Sequence, residues 1–301
     1  MLETSSQPWL SGHLAINCGL RSPDCDTVVT DVVRPFVQRQ KSSGTVSQWF
    51  FVRYGERGNH LRLRLRPTTR AARARLVHEL VAYTRARGIT RVDWVEYRPE
   101  VERYGGPRAI AVAEEFFHHS SEAAASLIDH VGELPGSARL GRAMACMLLI
   151  ASAFCDRAAW AARFLRTYAR SYLRSLGAAG SRLAMIEARF DKGFSIQEQA
   201  LGTIVHELWA SSRSGAPIAE GLDLFRVSLI ETRRKFQALA DAEQVVMWNR
   251  VPLHYRAAAA GVVPSYLHMM SNRLGLTIPE ESYLAHVVAL ALERDGHFNG
   301  N

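Results

Sequence analysis

The chain has 301 residues, 48% of them hydrophobic and 22% charged, with a net charge of +8 from 37 Lys+Arg against 29 Asp+Glu. That is the balance of a globular protein long enough to bury a substantial core. No apolar run reaches the roughly 18 residues of a membrane span, and Met1–Pro8 lacks the basic segment and apolar core of a signal peptide. A cytoplasmic protein without membrane contact is the expectation.

Cysteines at 18, 25, 146 and 155 give neither a zinc-ligand spacing nor a disulfide framework. Only Lys41, Lys192 and Lys235 are lysines, so nearly all the positive charge is guanidinium. Arginine suits planar, two-pronged contact with carboxylate or phosphate, although a high-GC genome produces the same bias. The positive field favours acidic partners, whether a nucleic acid or an acidic peptide.

Residues 9–18 read as a first strand, and 27–40 as a helix with Val28, Val29, Val32, Val33, Phe36 and Val37 at helical spacing. Residues 48–54 and 60–66 read as a hairpin around a Gly-rich turn. The helix over 69–88 carries Arg70, Arg73, Arg85 and Arg87 on a side that reads as solvated, and 92–97 is a fourth strand. The order β-α-β-β-α-β predicts an α+β fold with a ferredoxin-like split βαβ sheet, followed by a mostly helical part. Helices are expected over 107–120, 121–131, 137–176, 181–189, 195–212, 219–240, 264–274 and 279–294, with a break near Phe154-Cys155-Asp156. Residues 1–106 and 107–301 are expected to pack as one integrated domain.

Three stretches carry candidate chemistry. In His60-Leu61-Arg62-Leu63-Arg64-Leu65-Arg66, strict alternation puts three leucines on one face and an imidazole with three guanidiniums on the other. The same pattern also fits the solvated face of an edge strand. The loop Glu100-Val101-Glu102-Arg103-Tyr104-Gly105-Gly106-Pro107 is dense in ionisable groups, with Pro107 placed to open a helix. Its carboxylates could instead pair with the strand arginines. Pro264 and Ser265 are placed to open a short helix in which Leu267, Met270 and Leu274 face the core, while His268 and Asn272 share another side. A lone helical histidine is more often structural than catalytic. Glu114 and His118 are four apart, but no H-E-x-x-H pattern supports a metal. Nothing resembles a phosphate-binding loop, and no metal or cofactor is expected. Direct nucleic-acid binding is disfavoured, because no aromatic residues interleave the basic helix. Trp248 reads as a packing residue.

Taken in order, Phe50-Phe51-Val52-Arg53-Tyr54, His60–Arg64, Glu100–Gly106 and Leu267-His268-Met269-x-x-Asn272-Arg273-Leu274-Gly275 resemble the C-terminal domain of class I lanthipeptide dehydratases, also found alone as the thiopeptide-type bacteriocin biosynthesis protein. The resemblance implies a glutamate-elimination lyase. A tRNA-dependent glutamylating partner esterifies Ser or Thr of a ribosomally made leader-core precursor peptide, and this domain expels the glutamate to leave dehydroalanine or dehydrobutyrine. It implies catalytic roles for Arg64, Arg103 and His268, and substrate-binding roles for Arg62, Glu100, Tyr104 and Asn272. The same resemblance extends to thiopeptide pyridine synthases, which join two dehydroalanines by a formal [4+2] cycloaddition and release the leader peptide. A homodimer and a complex with the glutamylating protein both remain open.

Overall fold

The computed structural model describes residues 8–129, 136–218, 222–248 and 251–295. Its chain divides into two compact units, Met1–Glu100 with Ala113–Glu133, and Val101–Val112 with Leu134–Asn301.

In the first unit, β1 (Leu10–Ala15), β2 (Val46–Tyr54), β3 (His60–Pro67) and β4 (Val92–Trp94) form an antiparallel sheet in the order β2-β3-β1-β4. That is the expected split βαβ arrangement. Helices α1 (Pro23–Thr27) and α2 (Arg34–Ser42) are joined by a π-helical turn, Val28–Val33, and α3 (Arg70–Arg85) links β3 to β4. Pro35 explains the π turn in part, since it has no N–H to continue an ordinary α-helical ladder. Alternation decides the sheet faces. Leu61, Leu63 and Leu65 are at most 1% exposed, and α3 covers their side, with Leu80 reaching Gly12 of β1. Arg53 shares that side, donating to Asp26 at 2.6 Å and to the Leu20 carbonyl at 2.7 Å.

Strand β3 lies between β2 and β1, so the edge-strand reading is incorrect and the arginines project from the middle of a sheet. The true edge, β2, is blocked by α4 (Ile110–Asp129). Ser121 accepts the Phe51 N–H at 3.2 Å, and His118 Nδ1 lies 3.1 Å from the Trp49 carbonyl. A covered edge cannot recruit another strand. The division of this helix into 107–120 and 121–131 is also corrected. Ser120, at the expected break, returns its hydroxyl to the Phe116 carbonyl at 2.7 Å and so stays within the helix. Pro107 does not open it: a turn bonded to the Gly106 carbonyl intervenes, and the helix starts at Ile110. In α3, Arg73 is buried and donates to the Trp9 carbonyl at 3.0 Å, unlike its exposed neighbours Arg70 and Arg85.

The second unit is helical. It contains a 3-10 turn, Val101–Tyr104, then α5 (Gly136–Phe154), α6 (Ala158–Ser175), α7 (Gly180–Ile196), α8 (Glu198–Ser214), α9 (Asp223–Asp241), α10 (Tyr255–Arg273) and α11 (Ile278–Asp295). Residues 143–151 of α5 are buried without interruption, as a central helix must be. The break after Phe154 falls where Asp156 and the following residues interrupt the apolar pattern. Helix α10 corrects the expected short helix at 264–274. It begins nine residues before Pro264, where His254 caps the run Tyr255–Ala260. The alanines favour helix strongly, and burial of Val262, Val263, Tyr266, Leu267 and Met270 offsets the cost of an internal proline. Leu267, Met270 and Leu274 face the core as expected. Trp248 does not pack, being 68% exposed.

Candidate functional site

The polar face of the first unit follows from the strand register. Phe50 stands opposite Arg64, Val52 opposite Arg62 and Tyr54 opposite His60. On the other flank, Ser11 opposes Arg64 and His13 opposes Arg62. Arg64 is only 8% exposed, with its guanidinium carbon 5.4 Å from the Phe50 ring centre and 5.3 Å from that of Tyr97. Its Nη1 donates to the Arg62 carbonyl at 3.3 Å, and its buried Nε has no hydrogen-bond partner. Burial pushes its pKa down to about 10, still leaving it cationic at neutral pH. A charged guanidinium on this polar sheet face is the kind of group that pairs with a carboxylate.

At the hairpin end of this face, the His13 and His60 rings stack at 4.9 Å. Arg62 lies 3.1 Å over the Tyr54 ring, and its Nε points at His60 Nε2 from 3.3 Å. These groups, with Asn17, Asn59 and Asp93, line a hollow of about 560 Å³, large enough for an amino-acid-sized group. His13 is pushed down to about 4, first by burial and then by Arg62, Arg64 and His60. It is therefore neutral at physiological pH. In the same unit, burial pushes the Glu114 carboxyl up despite the Trp9 and Tyr97 donors and the Arg66 charge that act against it.

In the second unit, Arg103 reaches α10 and its Nε donates to Ser265 Oγ at 2.9 Å. Tyr104 is buried and stacks on Tyr266 with 6.1 Å between ring centres. Ser265 and His268 are three residues apart and therefore neighbours on one helix side. His268 Nδ1 lies 2.9 Å from Glu281 Oε1 on α11, with the carboxylate 1% and the imidazole 27% exposed. A carboxylate only accepts, so the contact puts a proton on Nδ1 and leaves Nε2 as the ring nitrogen not engaged by Glu281. The Tyr172 ring lies 5.1 Å from the imidazole. Tyr168, beside them, has its pKa held well above the usual value by burial and then by Glu281 and Tyr172, with Arg103 acting in the opposite sense.

The turn that delivers Arg103 depends on two glycines with positive φ, +93° at Gly105 and +94° at Gly106. A Cβ on Gly106 would stand 2.7 Å from Val246 Cγ2 and 2.8 Å from the Val246 oxygen. Only glycine fits both the conformation and the gap.

The expected residues thus distribute as two sets. Arg62 and Arg64 share the sheet face of the first unit. Arg103, Tyr104, His268 and Asn272 belong to the second, with Asn272 one turn beyond His268 on α10. Glu100 is an exposed residue at the end of the first unit. Sequence reasoning missed Glu281, Ser265, His13 and Tyr97. Glu281 had a readable signal: Thr277-Ile-Pro-Glu280 is a capping box, with Glu280 accepting the Thr277 N–H at 2.6 Å. That role for Glu280 leaves its neighbour to be explained. Glu114 and His118 serve structure, since His118 engages Trp49; among the described residues no cluster of metal-ligating groups occurs.

Fold and side chains together describe an α+β protein with a buried arginine on the sheet face of one unit and a carboxylate-paired histidine in the other. The family described as Lantibiotic biosynthesis dehydratase C-term matches over residues 9–292, and the chain belongs to it. Among solved structures it is similar to the tRNA-dependent lantibiotic dehydratase MibB from Microbispora sp. 107891 (21% identity, TM-score 0.67), covering 99% of this chain and 29% of that one. It is also similar to TsrL (15% identity, TM-score 0.70), covering 96% of this chain and 95% of that one. A third likeness is to TbtD, a pyridine synthase from thiomuracin biosynthesis (19% identity, TM-score 0.71), covering 97% of this chain and 100% of that one. At these identities the likeness is one of fold. No match is found among curated protein sequences. Among the described residues no helix is long and apolar enough to cross a membrane.

Proposed function

We propose that this protein is a glutamate-elimination lyase acting on glutamylated Ser or Thr side chains of a ribosomally made precursor peptide. The observation that carries the reading is the His268–Glu281 pair beside the Arg103–Ser265 contact. Elimination must remove a weakly acidic peptide Cα proton and expel a carboxylate, so it requires a base and cations. His268 Nε2 takes the Cα proton. Glu281, accepting from Nδ1, orients the ring and stabilises the imidazolium that forms. Arg103, held by Ser265, stabilises the enolate oxygen. The electron pair then forms the Cα–Cβ double bond as the Cβ–O bond breaks. Glutamate departs through its γ- or α-carboxylate, and the proton held by His268 passes to solvent. By the family resemblance Arg64, which stays cationic at neutral pH, is assigned to the glutamyl carboxylate and Arg62 to substrate binding. Glu100, Tyr104 and Asn272 are assigned to substrate binding. The glutamyl group is supplied by a tRNA-dependent glutamylating partner.

One observation favours a second reading. The fold is shared with TbtD, described as a pyridine synthase from thiomuracin biosynthesis, which supports a pyridine synthase joining two dehydroalanines. Mass spectrometry separates the two. A glutamylated peptide should lose glutamic acid, about 147 Da from the composition of the leaving group, and a dehydrated peptide should remain unchanged. Conversion of the dehydrated peptide with leader release, and no turnover of the glutamylated one, would establish the synthase instead.

A further inference from the structure

Helix α9 buries one side and leaves another apolar side uncovered. Phe225, Leu229 and Phe236 face the core at 2% exposure or less, whereas Leu224, Val227 and Ile230 are 84%, 60% and 57% exposed. The exposed three recur every third residue, so they form one stripe. A helix of a globular domain ordinarily carries polar residues there, and contiguous exposed apolar surface marks an interaction site.

Along one flank the stripe opens into a hollow of about 550 Å³ whose floor includes Leu149, Ala153 and Leu229. Its rim is cationic: Arg213, Arg226, Arg233 and Arg234. All four have partners of their own, Arg213 donating to the Cys155 carbonyl at 3.4 Å. Arg226 donates to the Ala216 carbonyl at 2.6 Å, Arg233 to Asp156 at 3.2 Å, and Arg234 to both oxygens of Glu231 at 2.8 Å. Yet the side chains of Arg233 and Arg234 remain 41% and 70% exposed, and so present donors outward. Fixed guanidiniums around an apolar floor are pre-organised, and ordering them costs a ligand little.

We propose that this face is a docking groove for an acidic amphipathic helix of another polypeptide. The apolar side of that helix covers Val227 and Ile230, and its carboxylates meet Arg233 and Arg234. Charge complementarity selects this occupant. A second copy would set the same cationic rim, on a chain of net charge +8, against itself. A nucleic acid would satisfy the arginines and leave the stripe wet. The inference rests on no residue assigned to the reaction above.

The test is fluorescence anisotropy of the full chain with a labelled peptide of about 18 residues, long enough to form helix. It carries leucines at alternating three- and four-residue spacing and glutamates elsewhere. Saturable binding is expected, weakening steeply with salt. It should fall about tenfold or more in V227D/I230D and again in R234E, and vanish when the glutamates are replaced by lysines. All three substitutions lie on exposed positions, so unfolding midpoints and turnover should stay unchanged. Absent saturable binding, or equal binding to wild type and V227D/I230D, overturns the proposal. So does displacement of the peptide by tRNA, or a dimer that dissociates on Ile230→Asp in sedimentation, each of which assigns the face to another occupant.

Discussion

His268 Nδ1 and Glu281 Oε1 stand 2.9 Å apart across α10 and α11, with the carboxylate fully enclosed. A buried carboxylate against one ring nitrogen sets the tautomer and aims the other nitrogen outward. Glu281→Gln keeps the shape and removes the acceptor charge. It should lower kcat for glutamate elimination about 10- to 100-fold with KM little changed. His268→Ala should abolish turnover while peptide binding persists. A Glu281→Gln enzyme with wild-type kcat would remove the carboxylate from the mechanism.

The role proposed for Arg64 sets function against stability. Its guanidinium is buried with one donor unpaired, an arrangement that costs a fold about 1–3 kcal/mol. Arg64→Met fills the aromatic box without that cost. The unfolding midpoint should rise by roughly 2 °C while elimination is lost. Arg64→Lys restores charge but not the two-pronged geometry, and should retain about 1% of activity. Calorimetry and single-turnover assays on both variants test this, and a lower midpoint for the Met variant would contradict it.

Acid should weaken the fold over a defined range. His13 and His118 are both pushed down to about 4, chiefly by burial, from 6.5 in the unfolded chain. Between about pH 6.5 and pH 4 the unfolded chain takes up protons that the folded one refuses. Stability therefore falls as pH drops through that window and levels off below it, as far as these two groups are concerned. His118→Asn keeps a donor for the Trp49 carbonyl but does not titrate, so its urea midpoint should decline less between pH 7 and pH 4.5. An identical decline in wild type and variant would refute the assignment.

Gly106→Ala meets both a positive φ and Val246, 2.7 Å from where the Cβ would lie. The expected loss is about 2–4 kcal/mol, together with reduced turnover as Arg103 shifts. Gly44→Ala is the control, since its φ is +68° but nothing lies within 4 Å. It should cost only about 1 kcal/mol. Guanidinium unfolding of the pair separates clash from backbone strain; equal losses would show that Val246 moves aside.

Much of this was legible residue by residue. The alternation from His60 to Arg66 determined which side chains share a face, because strand period is two and a one-residue slip would expose the leucines. The order of extended and helical patterns determined the split βαβ topology, and the charged break after Phe154 determined where a long apolar stretch divides. Folding alone decided that β3 is central, that Arg64 is buried rather than solvated, and that Pro264 sits inside a helix. It also brought Glu281 to His268 and Ser265 to Arg103, 162 positions away in sequence. The reason is physical. Periodicity and local propensity act over a few residues, whereas burial and pairing depend on which distant surface arrives, and no short stretch of chain encodes its neighbour's identity.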